Sequence, residues 1–353
     1  MKICVKAYYD IYVIFEMTLD DVLFCTTDGR EFSRGKYDLS KNYQSSALLR
    51  LRPDVLGLAG WNRYKDMDFK QYKLIWLHLN PQLLFPPWYV FPRLLKKASP
   101  DSILLLKHEY WERYYDKPME HILKRYFNQA DYIVTNTKIG RDVVEDNLSP
   151  PVLYAHIGQP TIDEMPWSSP LSWDERNGVF VLRHTTRDSM IGKLEIGKRT
   201  GLHVHLVDSV PPPYGNIDQL KHLADTIGVK ATVYGRLDWS DYINVLRRCR
   251  VALDTDYVGV CRMAYEAARV SVPVVGTNLA EYRNILYPTL TYRPTDLSGM
   301  SEKIMEIHEG SEPKSLNNYA STLIREYWSH KSCKKRLLKL FEKIGYDYDG
   351  GGE

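Results

Sequence analysis

The stretch that decides the fold begins Val251-Ala252-Leu253-Asp254-Thr255-Asp256-Tyr257-Val258-Gly259-Val260-Cys261-Arg262. It continues Met263-Ala264-Tyr265-Glu266-Ala267-Ala268-Arg269-Val270-Ser271-Val272-Pro273-Val274-Val275-Gly276-Thr277. An apolar run ends at Asp254, a loop with Gly259 follows, a helical pattern starts at Arg262, and a second apolar run follows Pro273. Strand, loop, helix, strand is the repeating unit of a doubly wound parallel sheet. Ligands of such sheets bind beyond the C-terminal strand ends. The free N–H groups of Val260, Cys261 and Arg262 at the helix start, with the helix dipole, make an anion site suited to a diphosphate. Glu266 lies one turn in, and its carboxylate can accept two hydrogen bonds from a ribose diol. The competing reading is a solvated glutamate on a surface helix. Its neighbours Tyr265 and Ala267 argue against that, because charged residues in apolar runs are seldom buried without a partner.

The same alternation extends outward. Strands are expected at Val179–Leu182, Val204–Val207 and Lys230–Tyr234, with helices at Ser189–Thr200, Ile217–Ile227 and Trp239–Cys249. Before them, Gly158–Asn177 carries Pro160, Pro166, Pro170 and several serines, which marks a linker. The first half again alternates, with strands near Ile3–Ala7, Val55–Ala59, Leu74–Leu77, Ile103–Leu106 and Tyr132–Thr135, and helices at Pro118–Asn128 and Gly140–Asn147. The expected fold is α/β, with two Rossmann-like doubly wound domains facing a cleft. The domains run 1–157 and 178–315, joined by linker 158–177, with ligands expected at the second domain's strand ends. Basic helices at 316–345 and a disordered tail at 346–353 follow.

Composition narrows the function classes. The chain has 353 residues, 44% hydrophobic and 26% charged, with a net charge of +3. That charge is too small to imply nucleic-acid binding by itself. The cysteines Cys4, Cys25, Cys249, Cys261 and Cys333 are scattered and odd in number, which argues against a disulfide framework or a zinc site. No signal peptide or run of about 18 apolar residues is present, so a cytoplasmic protein is expected. Residues 83–97 place aromatics before cations. They can dock on a membrane surface, and equally form a packed loop or a carbohydrate platform. A proline-broken stretch has no clean amphipathic face, so membrane contact there would be weak and peripheral.

The stretch 251–288 resembles the donor-site signature of the large group 1 family of retaining glycosyltransferases with the GT-B fold. The resemblance rests on Gly259, Glu266, Ala267, Pro273, Val274 and Val275. Two positions depart from the family. Ser271 stands where it usually has glycine, and Val258 where it has a first glutamate that helps hold the donor sugar. The resemblance implies that Glu266 holds ribose and that the Gly259 loop (Gly259, Val260, Cys261, Arg262) holds diphosphate. It further implies that Arg183, at the end of its strand, and Arg187, where the family places a lysine, face the diphosphate. Lys193 and Lys198 are alternatives for that lysine. Gly235 and Arg236 resemble the loop whose backbone holds the base.

In the first half, Ala130-Asp131-Tyr132-Ile133-Val134 resembles the family's last N-domain strand. His108, after an apolar strand and followed by Glu109, is similar to the histidine at the family's cleft that touches donor sugar. These two are the candidate catalytic residues, with His78 a second histidine at a strand end. The last helix is expected to pack back on the first domain, as in the family.

The resemblance implies transfer of a sugar from a nucleotide diphosphate-sugar to a glycan, lipid or protein hydroxyl. Retention is implied by the family alone. The resemblance also implies metal independence: Asp254-Thr255-Asp256, although spaced like a metal motif, precedes the anion loop, where the family needs no metal. No cofactor is expected beyond the donor. The alternatives are a nucleotide-binding module without transfer, which Val258 motivates, and another GT-B enzyme such as a sugar-phosphate epimerase.

Overall fold

Short apolar runs become the strands of two parallel sheets, with the central strands of the second sheet buried almost throughout. The computed structural model describes residues 2–6, 22–25, 72–78, 91–108, 119–156, 171–183, 190–208, 215–237, 239–255 and 262–346. The chain divides into two compact units, Met1–Glu164 with Trp328–Glu353, and Met165–Tyr327.

In the first unit the strands are β1 (Lys2–Lys6), β2 (Val22–Cys25), β3 (Tyr72–His78), β4 (Ile103–His108), β5 (Tyr132–Thr135) and β6 (Val152–Tyr154). Their order is β2-β1-β3-β4-β5-β6, every pairing parallel. Helices α1 (Phe91–Ala98), α2 (Met119–Phe127) and α3 (Lys138–Asn147) connect the last four strands. Leu104, Leu105 and Leu106 of β4 are fully buried, as a central parallel strand requires. The expected strand Val55–Ala59 lies outside the described residues. Within the stretch 83–97, α1 begins at Phe91, and its Lys96 donates to Asp131 at 2.8 Å and to the Ser102 carbonyl. That lysine is engaged by its own unit, with its side chain 30% exposed.

The second unit carries β7 (Val179–Arg183), α4 (Met190–Thr200), β8 (Val204–Asp208), α5 (Ile217–Ile227), β9 (Ala231–Tyr234), α6 (Trp239–Arg247) and β10 (Val251–Asp254). It continues with α7 (Arg262–Arg269), β11 (Val274–Thr277), α8 (Glu281–Leu286), β12 (Thr291–Tyr292), α9 (Leu297–Glu309) and α10 (Lys314–Tyr327). The strand order is β12-β11-β10-β7-β8-β9, all parallel. The alternating α/β reading of the sequence is this architecture.

Two helix ends show how local chemistry sets the boundaries. Asn216 caps α5 by accepting from the Gln219 N–H, and Gly228 closes it in the left-handed conformation, φ 83°. Helix α7 closes the same way with Ser271 at φ 56° in place of a glycine. The Val272 N–H returns to the Ala267 carbonyl at 2.9 Å, and the Ser271 N–H to Ala268 at 3.3 Å. These are the two bonds of a Schellman turn.

The basic stretch 316–345 is covered by two helices, α10 and a second that follows it. Ser329 accepts from the Ser332 N–H and starts α11 (His330–Lys343) afresh. Helix α10 belongs to the second unit and α11 to the first. The apolar side of α11 is buried through Cys333, Leu337, Leu340, Phe341 and Ile344. Arg336 donates from Nε to the His156 carbonyl at 2.7 Å, tying α11 to the end of β6.

Candidate functional site

The C-terminal ends of the second sheet collect the polar residues that an all-apolar strand interior excludes. β7 ends at Arg183 and β8 at Asp208, paired across the sheet. Their side chains meet at 3.2 Å, with Asp208 2% and Arg183 13% exposed. Asp208 was not singled out in the sequence. Its signal, an acid at the end of an apolar strand, is weak until the register places a cation beside it. Lys193 of α4 is fully buried, and its Nζ donates to the Leu182 carbonyl at 2.8 Å, one residue before Arg183. Lys198 is exposed in the last turn of α4, which in a βαβ unit is the end remote from the strands' C-termini. Arg187 lies outside the described residues.

Gly235 and Arg236 leave the end of β9, at the same edge. A Cβ on Gly235 would stand 2.8 Å from Cδ1 of Ile217, the first residue of α5. Glycine there lets the loop lie directly against that helix start.

The β10 end is fixed by an internal ion pair. Asp254 Oδ2 meets Arg283 Nη1 at 2.7 Å, and both side chains are at most 2% exposed. Arg283 also donates from Nε to the Thr277 carbonyl and from Nη2 to Thr277 Oγ1, each at 2.8 Å, and thereby joins β10 to β11. Gly276 makes the approach feasible, since a Cβ would come 1.9 Å from the Asp254 carbonyl oxygen. Asp254, one member of the Asp-x-Asp spacing, therefore has its carboxylate engaged by a guanidinium. Arg283 escaped the sequence reading because nothing in its spacing ties it to Asp254. Among the described residues no cluster of three His, Cys, Asp or Glu side chains could hold a metal ion.

Helix α7 starts at Arg262, whose side chain is outside the described residues, as are Gly259, Val260 and Cys261 entirely. Glu266 is 5% exposed, which removes the alternative of a solvated surface glutamate. Its Oε2 accepts from the Tyr242 hydroxyl of α6 at 2.7 Å. Tyr242 in turn packs edge-on against Phe180 of β7, ring centroids 5.5 Å apart. Tyr242, like Asp208 and Arg283, escapes the sequence reading, and only the packing of α6 against α7 exposes it.

At the corresponding edge of the first sheet, β4 ends at His108, 3% exposed and paired in register with Thr135. Its ring lies 4.9 Å from that of Phe127. His78 ends β3, opposite Lys107. Glu109 lies outside the described residues. The structure thus brings Arg183, Gly235, Arg236, the α7 start and Glu266 to one edge of the second unit, while His108 belongs to the first.

No family model matches this sequence, and no curated protein matches it. Solved structures match over nearly the whole chain. HepE from Anabaena, crystallised with UDP-glucose, is 13% identical with a TM-score of 0.70, covering 98% of this chain and 99% of its own. The trehalose-6-phosphate phosphatase N-terminal domain of Candida albicans is 14% identical with a TM-score of 0.66, covering 97% and 96%. A glycosyltransferase from Rickettsia africae is 12% identical with a TM-score of 0.63, covering 98% and 99%. The chain has the α/β fold of GT-B glycosyltransferase structures, with a parallel sheet in each unit.

Proposed function

We propose that the chain is a glycosyltransferase whose second unit holds a nucleotide diphosphate-sugar. The observation that carries this is Glu266, a carboxylate buried one turn into the helix that follows β10 and braced by Tyr242. A buried carboxylate at the ligand edge of a doubly wound sheet suits a ribose diol. The start of α7, with Gly259, Val260, Cys261 and Arg262, receives the diphosphate through backbone N–H groups. Arg183 and Arg187 add positive charge where the leaving diphosphate gains negative charge, a role that needs no metal ion. Gly235 and Arg236 border the base. His108 and Glu109 are the catalytic candidates of the first unit.

Crystallised HepE carries UDP-glucose, and a trehalose-6-phosphate synthase of the same fold is described as transferring with retention. UDP-glucose and retention are accordingly the first donor and the stereochemical outcome to examine here. The acceptor is a hydroxyl on a glycan, lipid or protein. No described helix is long and apolar enough to cross a membrane. The buried thiols of Cys249 and Cys333 suit the proposed cytoplasmic compartment.

The test is acceptor-dependent release of nucleoside diphosphate from UDP-, GDP- and ADP-sugars, with and without a chelator. Release that survives the chelator is expected. Release abolished by the chelator would overturn metal independence. Val258 favours a second reading, in which nucleotide binds without transfer because the carboxylate that grips the sugar is missing. Saturable nucleotide binding without turnover of any donor, across a broad acceptor panel, would select that reading.

A further inference from the structure

Helix α11 is amphipathic in an unequal way. Its apolar side is consumed by the core of the first unit, through Leu337, Leu340, Phe341 and Ile344. Its outer side is a ridge of Lys331, Lys335, Lys339 and Lys343, all exposed. Successive lysines rise about 6 Å and turn about 40°, so the four cover about 18 Å of helix and an arc of about 120°. None of the four forms a salt bridge among the described residues, in contrast to Lys96 and Lys303, which do. One acid, Glu342, shares the arc in the last turn. Half-buried Leu338 borders it.

We propose that this ridge docks the first unit onto an anionic lipid surface. The type of cation chooses the partner. The helix's one arginine, Arg336, is turned inward, with Nε on the His156 carbonyl and Nη2 on Cys333 Sγ. The fork that reads a defined phosphate or carboxylate bidentately is therefore unavailable outside. What faces solvent is a row of flexible point charges, suited to a diffuse negative surface and worth about 1 kcal/mol each near anionic headgroups. No described aromatic side chain lines the ridge to stack nucleobases. The apolar side of α11 is already covered, so the contact is electrostatic adsorption without insertion, and salt weakens it.

The experiment is co-sedimentation of the full chain with phosphatidylcholine vesicles, with and without about one third phosphatidylglycerol. The comparison protein carries Lys331→Gln, Lys335→Gln, Lys339→Gln and Lys343→Gln together. These side chains are exposed and unpaired, and an unchanged unfolding midpoint verifies that the fold is intact. Expected is binding to the anionic vesicles alone, lost at high salt, with affinity at least about tenfold lower in the variant. Equal binding by both proteins, equal binding to neutral vesicles, or binding to single-stranded oligonucleotide but not to anionic vesicles would overturn the proposal.

Discussion

The hydroxyl of Tyr242 donates to Glu266 Oε2 at 2.7 Å, across the contact between α6 and α7. A hydrogen bond to a buried charged group contributes about 1.5 to 3 kcal/mol. Tyr242→Phe keeps the ring against Phe180 but leaves the carboxylate one donor short. The expected result is a loss of about 1.5 kcal/mol in urea unfolding and weaker nucleotide binding. Unchanged stability would show that Tyr242 does not hold the carboxylate.

Arg283 is a stability residue. Removing one partner of a buried pair costs about 3 to 5 kcal/mol, whereas replacing both by apolar residues is often neutral. Arg283→Leu leaves Asp254 buried without its cation and is expected to lose stability in that range. Adding Asp254→Leu should recover most of the loss. A double variant as unstable as the sum of the two single variants would refute the coupling.

Ser271 holds φ 56°, a conformation that costs a non-glycine residue about 1 kcal/mol. Ser271→Gly is expected to raise stability by about 0.5 to 1 kcal/mol, read by the unfolding midpoint. The Ser271 carbonyl, which accepts from Arg176 and Asn317, is retained in the variant.

His205 supplies a pH dependence. Burial, helped by nearby His203 and Arg248, pushes its pKa down from the ordinary 6.5 to about 4. Between those values the unfolded chain binds the proton and the folded protein does not. Stability therefore falls as pH drops from about 6.5 to about 4. His205→Phe, which preserves stacking on Tyr234, should flatten that slope in thermal melts. An unchanged slope would assign the acid sensitivity to other groups.

Much of the second unit was legible because its central strands are buried almost throughout, and because side chains cap the starts of α5 and α9. Ile217–Ile227, Val251–Asp254 and Val274–Thr277 have the bounds read from sequence. Elements below the reach of periodicity were not. β6 has three residues and β12 two, too few to show alternation. Ser271 was visible in the sequence where glycine is expected, and its φ of 56° is the physical reason glycine suits the position. Of the site, Arg183 was placed at its strand end with the help of the family resemblance. The partners of the site residues could not be placed, because Asp208, Tyr242 and Arg283 become partners only through strand register and helix packing.

The central claim is that Glu266 holds the ribose of a nucleoside diphosphate. The direct measurement is isothermal titration of UDP, GDP and ADP into the protein and into Glu266→Gln, which keeps the shape of the side chain and removes its charge. The account predicts a preferred diphosphate whose Kd rises at least about tenfold in the variant, a loss of about 1.4 kcal/mol. Its 2′,3′-dideoxy form, lacking the diol, should bind both proteins equally weakly. Equal affinity of the two proteins for the intact diphosphate would contradict it.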